Sequence, residues 1–292
     1  MLLPMTDELL ARLIPGVRMR YREHPPPPAL CERVACFWSI TAPAGAPGHR
    51  VLPDGCVDIL FDASGPPVVV GAMTRAIVTQ ATTRPTELLG VRFRPGEAAA
   101  VLGVSLRELS NGTVDLADVW GERGRRVADA VLERRTVDGR LGLLSRAIEE
   151  RLATRQNAEA GDVTTRRVRA AVRFILGAER LPTIDALASR LGVTGRTLER
   201  AFDERVGLRP KALVRVVRLQ RVVGAMDRGA PTWTALAYDE GFSDQAHLVR
   251  EVRALAGASP TALLRERLSM SDSFNPARSV GATVPPSVAH RP

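Results

Sequence analysis

"LAYDEGFSDQAHLVREVRALAGASPTALLRE", residues Leu236 to Glu266, starts with a short apolar helical pattern and turns at Gly-Phe-Ser. It then enters a second helical pattern that mixes Gln, His and Arg with Leu and Val. A soluble chain gains nothing from pairing a packing helix with one that is half prepared for hydrogen bonding, unless that second face meets something polar. The same design occurs about fifty residues upstream, as "IDALASRLGVTGRTLERAFDERVGLRP" from Ile184. Leu187, Ala188 and Gly192 match Leu236, Ala237 and Gly241 at an offset of 49. After one inserted residue, Leu198, Arg200, Gly207 and Pro210 match Leu248, Arg250, Gly257 and Pro260 at an offset of 50. The segment is a duplication, and each copy is one supersecondary unit.

Each copy reads as helix, tight turn, helix. Ala188 and Ala237 are small where two helices cross closely, and Gly192 and Gly241 supply the positive φ that ends the first helix. Thr194 and Ser243 stand where a side-chain oxygen caps the next helix. This is the helix-turn-helix pattern. In the second helix of the first copy, Leu198 and Phe202 point inward, while Arg196, Glu199, Arg200 and Asp203 share the opposite strip. In the second copy Leu248, Val252 and Leu255 point inward and Ala246, Val249, Arg250 and Arg253 outward, with Gln245 and His247 flanking the strip. Such strips suit base-pair edges: Arg pairs with guanine, Gln with adenine, Glu accepts from cytosine, and Ala or Val touches a thymine methyl. Asp203 is expected to pair with a neighbouring Arg. An ordinary amphipathic helix with a solvated face would look the same in one copy, and the duplication weighs against it.

Between the copies, "RPKALVRVVRLQRVVGAMDR" predicts one helix from about Pro210 to Arg228. Leu213, Val216, Val217, Gln220 and Val223 form its inner stripe, and Lys211, Arg215, Arg218 and Arg221 share another face. Such a helix is long enough to hold two recognition helices about one DNA turn (~34 Å) apart.

Charge agrees. The net +9 of the 292-residue chain is almost wholly in one block: residues 163–268 hold 19 basic and 11 acidic residues, whereas residues 1–162 hold 20 of each. A localised excess of this kind is the footprint of polyanion binding. Lys211 is the only lysine among 41 basic residues, a bias that a GC-rich genome also produces.

"GFSDQAHLVR" and "GASPTALLR" resemble the signature of the AraC/XylS family of bacterial transcription regulators. The resemblance covers about residues 164–268 and implies a double helix-turn-helix domain whose helices at 195–205 and 244–255 enter the major groove. It implies base-facing roles for Arg196, Glu199, Arg200, Gln245, Ala246, His247, Val249 and Arg250. Lys211, Arg215, Arg218 and Arg253 are the candidate phosphate contacts. Double-stranded DNA is the implied partner, with RNA polymerase, a small-molecule effector and a second copy of the chain as further candidates.

Upstream, "CFWSI", "CVDILFD", "PVVVGAM" and "TELLGVRF" read as strands of a mostly antiparallel sheet, followed by helical spacing through "LADVW", "RVADAVLERR" and "GLLSRAIEERLA". Residues 1–20 read as a short helix, and the proline run His24 to Leu30 as extended chain. "LPDGCVDILFD" and "GVRFRPGEAAAVLGVSLRELSNGTVDLADVWG" are similar to uncharacterised N-terminal domains of a subgroup of the same regulators, which implies sensing or dimerisation. The expected organisation is therefore α+β: a β-rich domain with trailing helices (1–153), a polar linker (154–163), an all-α double helix-turn-helix domain (164–268), and a disordered tail (269–292).

Other chemistries find less support. Cys31, Cys36 and Cys56 with His24 and His49 raise zinc, but Cys-x4-Cys lacks a second pair and "CERVACFW" reads as strand or core. Alkyltransferases that carry a related domain need four cysteines on zinc, and three exist. No Gly-x-Ser-x-Gly elbow, phosphate loop or His-Glu-x-x-His helix occurs. Trp38, Cys56, Asp58 and Arg92 are a candidate effector pocket, with sheet core as the competing account. No cofactor or metal is implied. No apolar run reaches the ~18 residues of a spanning helix, and "MLLPMTDELL" lacks a basic leader, so the expected location is cytoplasmic. A nonspecific architectural DNA binder and a repair or ligand-processing enzyme remain as alternatives to a sequence-specific regulator.

Overall fold

The computed structural model describes residues 19–160, 162–229 and 232–269. Residues 1–18 of the helix expected over 1–20 and all but the first residue of the expected tail lie outside them; Arg20 begins a strand instead of ending a helix, and Ser269 ends a helix.

Among the described residues the N-terminal part is a six-stranded sheet in the order β1-β2-β7-β4-β5-β8, every pair antiparallel. The strands are β1 (Arg20–His24), β2 (Val34–Ala42), β4 (Val57–Asp62), β5 (Val68–Val70), β7 (Thr86–Phe93) and β8 (Thr113–Asp115). A separate ribbon pairs β3 (Arg50–Val51) with β6 (Ile77–Val78). The four expected strands are all present, although "PVVVGAM" contributes only Val68–Val70. The proline run is not extended throughout: Pro28–Leu30 closes a 3-10 turn that buries Leu30, since proline's fixed φ also suits the first position of a helical turn.

Alternation assigns the two sheet faces. Phe37, Ile59, Val91 and Phe93 are buried on one of them, under helices α1 (Ala98–Leu102), α2 (Leu116–Trp120), α3 (Glu122–Glu133) and α4 (Val137–Ala160). Cys36, Trp38, Ile40, Leu88, Arg92 and Asp58 share the other. The stretch expected as a linker is mostly helix: α4 runs to Ala160, and α5 (Val163–Gly177) begins three residues later. Composition misled here because the stretch has no apolar stripe, yet it also has no Gly or Pro before Gly161 to stop the helix. Asp162 starts α5, accepting from the Thr164 and Thr165 amides at 2.8 and 3.2 Å and pairing with Arg205 at 2.9 Å.

The remaining helices are α6 (Ile184–Arg190), α7 (Gly195–Arg205), α8 (Pro210–Asp227), α9 (Trp233–Asp239), α10 (Gln245–Ala256) and α11 (Pro260–Ser269). The linking helix α8 serves two cores. Its Leu213, Val214 and Val217 join a cluster that runs continuously from the sheet through α1–α4 into α5, α6 and α7. Its Leu219, Val222, Val223 and Met226 join a second cluster with α9, α10 and α11. The first helix-turn-helix unit therefore shares its core with the N-terminal domain. At the seam the Leu106 amide donates to the Glu204 carbonyl at 2.9 Å, and Glu97 accepts from Arg33 and Arg169, both at 3.0 Å. The β3–β6 ribbon reaches the second unit: Arg50 bonds Glu266 and the Ala256 carbonyl, and the Ala76 amide donates to the Leu255 carbonyl at 2.7 Å. Among the described residues no helix is long and apolar enough to cross a membrane.

Candidate nucleic-acid interface

The two units are built alike from capping residues upward. Thr183 caps α6 by accepting from the Ala186 amide at 3.2 Å, and Thr232 caps α9 by accepting from Ala235 at 3.1 Å. Leu187 and Ala188, then Leu236 and Ala237, are buried at the crossings. Gly192 and Gly241 take φ of 63° and 72°, the left-handed conformation expected of the turn. Thr194 caps α7, accepting from the Thr197 amide at 3.2 Å. In the second copy the cap is Asp244, which accepts from the His247 amide at 2.6 Å, and not the expected Ser243. The inserted residue lies before the cap, so Thr194 corresponds to Asp244 at offset 50. The bond from the His247 amide holds the Asp244 carboxyl below the usual carboxylate range. Ser243 instead turns its hydroxyl to His247 Nδ1, 3.1 Å away.

Leu198, Ala201 and Phe202 anchor α7, and Leu248, Val252, Leu255 and Ala256 anchor α10. The opposite faces carry the candidate readers. Arg196, Glu199 and Arg200 are exposed on α7, and Gln245, Ala246 and Arg250 on α10. Arg200 has Glu204 one turn on at 3.6 Å, and Asp203 lies 3.7 Å from Arg209. Gln245 accepts from the Thr234 hydroxyl at 2.9 Å. His247 and Val249 are half-buried: the imidazole meets Phe242 edge-on at 5.3 Å, and Val249 packs against the second core.

The four candidate phosphate contacts divide in two. Lys211 and Arg253 are exposed. Arg215 forks onto Glu251 at 2.7 and 3.2 Å, and the Arg218 guanidinium lies 5.2 Å from the Phe242 ring centre. Arg221, on the same face, donates to the Ala178 and Glu179 carbonyls at the end of α5. Spacing alone grouped these cations; their partners come from other elements.

The sheet's second face does bring the candidate effector residues together. Arg92 stands between Cys36 and Asp58 in one cross-strand row and forks onto Asp58 at 3.2 and 3.1 Å, with Asp54 at 3.4 Å. Although burial works against its charge, Asp58 and Asp54 keep Arg92 firmly protonated. Burial raises Asp58 against the opposing pull of Arg92. Cys56 is buried and its amide donates to Asp54 at 2.9 Å, while Trp38 lies flat across Gly90, where a Cβ would meet the ring at 2.4 Å. The guanidinium fork that would clasp an acidic ligand is thus already filled by Asp58, although Arg92 Nη1 is buried with no hydrogen-bond partner. The cysteines do not converge as a ligand set: Cys31 is exposed beside the Pro26 and Pro27 carbonyls, whereas Cys36 and Cys56 are buried. His24 and His49 are bonded to Ser39 and Thr79, at 3.1 and 3.0 Å. Among the described residues no group of three His, Cys, Asp or Glu is arranged to hold a metal.

Two family models match. Residues 22–115 match a domain of unknown function, DUF6597, and residues 187–266 match a helix-turn-helix domain. A comparison with curated proteins found no match. Among solved structures, an AraC-type transcriptional regulator from Chromobacterium violaceum is similar at 22% identity and TM-score 0.34, covering 38% of this chain and 97% of that one. ToxT from Vibrio cholerae is similar at 9% identity and TM-score 0.37, covering 86% and 98%. Its form bound to an unsaturated fatty acid gives 10% and 0.40, covering 90% and 99%. The duplicated units, their shared linking helix and the family match agree: residues 187–266 of this chain are a helix-turn-helix domain.

Proposed function

We propose that the protein is a sequence-specific transcription regulator that reads two adjacent major grooves, one with α7 and the other with α10. The observation that carries this reading is the pair of equivalent outward strips on α7 and α10, two units joined by the one helix α8. At offset 50, Arg196, Glu199 and Arg200 correspond to Ala246, Val249 and Arg250. The 18 residues of α8 span about 27 Å at 1.5 Å per residue, close to the ~34 Å between successive grooves on one DNA face. Arg200 and Arg250 are the candidate guanine readers, Gln245 the adenine reader, and Ala246 with the edge of Val249 the surface for a thymine methyl. His247 presents its ring beside them. Lys211 and Arg253 serve phosphates, fixing register without reading sequence. Arg215 and Arg218 hold the scaffold.

The N-terminal domain is the regulatory part in this reading, through a bound effector or a second copy. It touches both units, so anything that displaces it is felt by α7 and α10. Selection of random duplexes by the full chain at near-physiological salt tests the proposal. The expected result is a bipartite motif with half-sites about ten base pairs apart. Arg250→Ala should blur one half, costing about 1–3 kcal/mol at its own base step. Salt-sensitive binding with no enriched motif would favour an architectural role, and no binding would overturn the proposal.

A further inference from the structure

We infer that Arg107 belongs to the DNA interface, so that the N-terminal domain itself contacts the phosphate backbone beside the first recognition helix. The inference rests on α7 being a groove reader. Arg107 opens a 3-10 turn (Arg107–Leu109) of the N-terminal domain, and that turn is fastened to α7. The preceding residue, Leu106, is buried and its amide donates to the Glu204 carbonyl at 2.9 Å. Gly207, just past α7 with φ 77°, comes so close that a Cβ there would lie 2.9 Å from the Leu106 carbonyl oxygen. Arg107 therefore has a fixed position relative to α7.

That position is at the far end of the reading strip. Arg196, Glu199, Arg200 and Asp203 follow one another along one face at helical spacing. Asp203 is also a wall of an open depression of about 590 Å3, whose other walls include Thr74, Arg107, Ser110 and Arg209. The depression thus continues the strip across the seam between the domains. An 11-residue helix is about 16 Å long, whereas the major groove is ~12 Å wide. A helix that enters by its N-terminal turns and crosses the groove at an angle brings its last turn to the groove's edge. The depression then faces the sugar-phosphate ridge.

Its chemistry suits that ridge. Arg107 is exposed and makes no ion pair among the described residues. Asp203, the one acid in the wall, has Arg209 beside it at 3.7 Å, and the Arg209 side chain is 68% exposed. Two long guanidinium side chains, with the Ser110 hydroxyl beside them, present donors to an oxyanion at the rim of the depression.

The test uses the full chain and the duplex that it selects. Salt dependence of binding is measured for the unchanged protein, Arg107→Ala and Arg107→Lys. One lost phosphate contact should lower the slope of log affinity against log salt by about 0.9 and weaken target and random duplex alike, about threefold to tenfold near physiological salt. Arg107→Lys should keep most of the slope, which a folding defect would not explain. If Arg107→Ala binds with unchanged slope and affinity, the inference falls while the regulator reading stands. If inorganic phosphate protects the unchanged protein but not Arg107→Ala against thermal unfolding, with the DNA slope unaltered, the depression is a small-anion site and the inference is again overturned. If the unchanged protein selects no duplex, both fall.

Discussion

Arg50→Ala should loosen α10 from outside the helix-turn-helix units. Arg50 lies on the β3–β6 ribbon, some two hundred residues from its partners in sequence. Its Nε and Nη2 meet the two Glu266 oxygens at 2.8 and 3.0 Å, and Nη1 donates to the Ala256 carbonyl at 2.8 Å, the last residue of α10. One side chain thus binds α11 and caps the carbonyl end of α10, the helix proposed to read the second groove. A charge-assisted bond of this kind is worth about 1.5–3 kcal/mol when both groups are dry. Glu266 is 40% exposed and is solvated again once Arg50 is gone, so the ion pair is better set at about 0.5–1 kcal/mol. The cation at a helix C-terminus adds a similar ~0.3–1 kcal/mol. The expected loss is about 1–2 kcal/mol, a factor of about 5–30 in the local opening equilibrium. Amide hydrogen exchange reads this directly, because a local opening is visible even when the global melt is not. Amides in the last turn of α10 should exchange faster by that factor, with those of α7 unchanged. The Arg50 bond also holds the Glu266 carboxyl below the usual carboxylate range. A lowered folded pKa means stabilisation that is present above the unfolded pKa and lost as pH falls through the folded one. The difference between the unchanged protein and Arg50→Ala should therefore shrink in acid. Less than a twofold change in α10 at neutral pH would refute the account of the clamp.

Two further outcomes follow from the sheet. Arg92→Ala leaves Asp58 buried without its counter-charge and should cost about 3–5 kcal/mol in chemical denaturation, with Asp58→Asn recovering part of it. Cys31 is exposed, whereas burial pushes Cys36 up to about 12 and Cys56 well above its ordinary range. Iodoacetamide at neutral pH should therefore add one carbamidomethyl group per native chain and three per unfolded chain, counted by mass spectrometry.

What could be read from residues alone follows the range of the interactions involved. The duplicated units were legible because their rules are local: a glycine at positive φ, an oxygen at the cap, a leucine every turn. Even there the cap at Asp244 was misplaced by one, since Ser243 and Asp244 are both good caps and only the helix's hydrogen bonds choose between them. The strands were legible from alternation, and Arg92 with Asp58 could be suspected from adjacent runs. The shared core was not legible. That Val206 and Leu208 share one core with Leu102 and Leu106 instead of closing a self-contained helical domain depends on packing between segments a hundred residues apart. The seam that carries Arg107 depends on the same long-range packing.

The linking helix shows how charge read from spacing can mislead. Lys211, Arg215, Arg218 and Arg221 share one face, and a polyanion would account for them all. Each arginine instead ties the helix to a different neighbour: Arg215 to Glu251 on α10, Arg218 to Phe242 in the turn before α10, and Arg221 to the end of α5. Arg215 uses its guanidinium as a two-pronged fork and Arg221 as a donor to two carbonyls, geometry that the compact ammonium of a lysine matches less well. The chain's only lysine stands at position 211, where the side chain is exposed and a point charge suffices. The face therefore sets the angle at which the two helix-turn-helix units leave the helix. On the proposed reading the cations left to meet DNA are the exposed ones, Arg196, Arg200, Lys211, Arg250 and Arg253, with Arg107 beside them. In the same duplex selection, Arg215→Lys should then disturb the spacing between half-sites, whereas Lys211→Ala should only weaken binding.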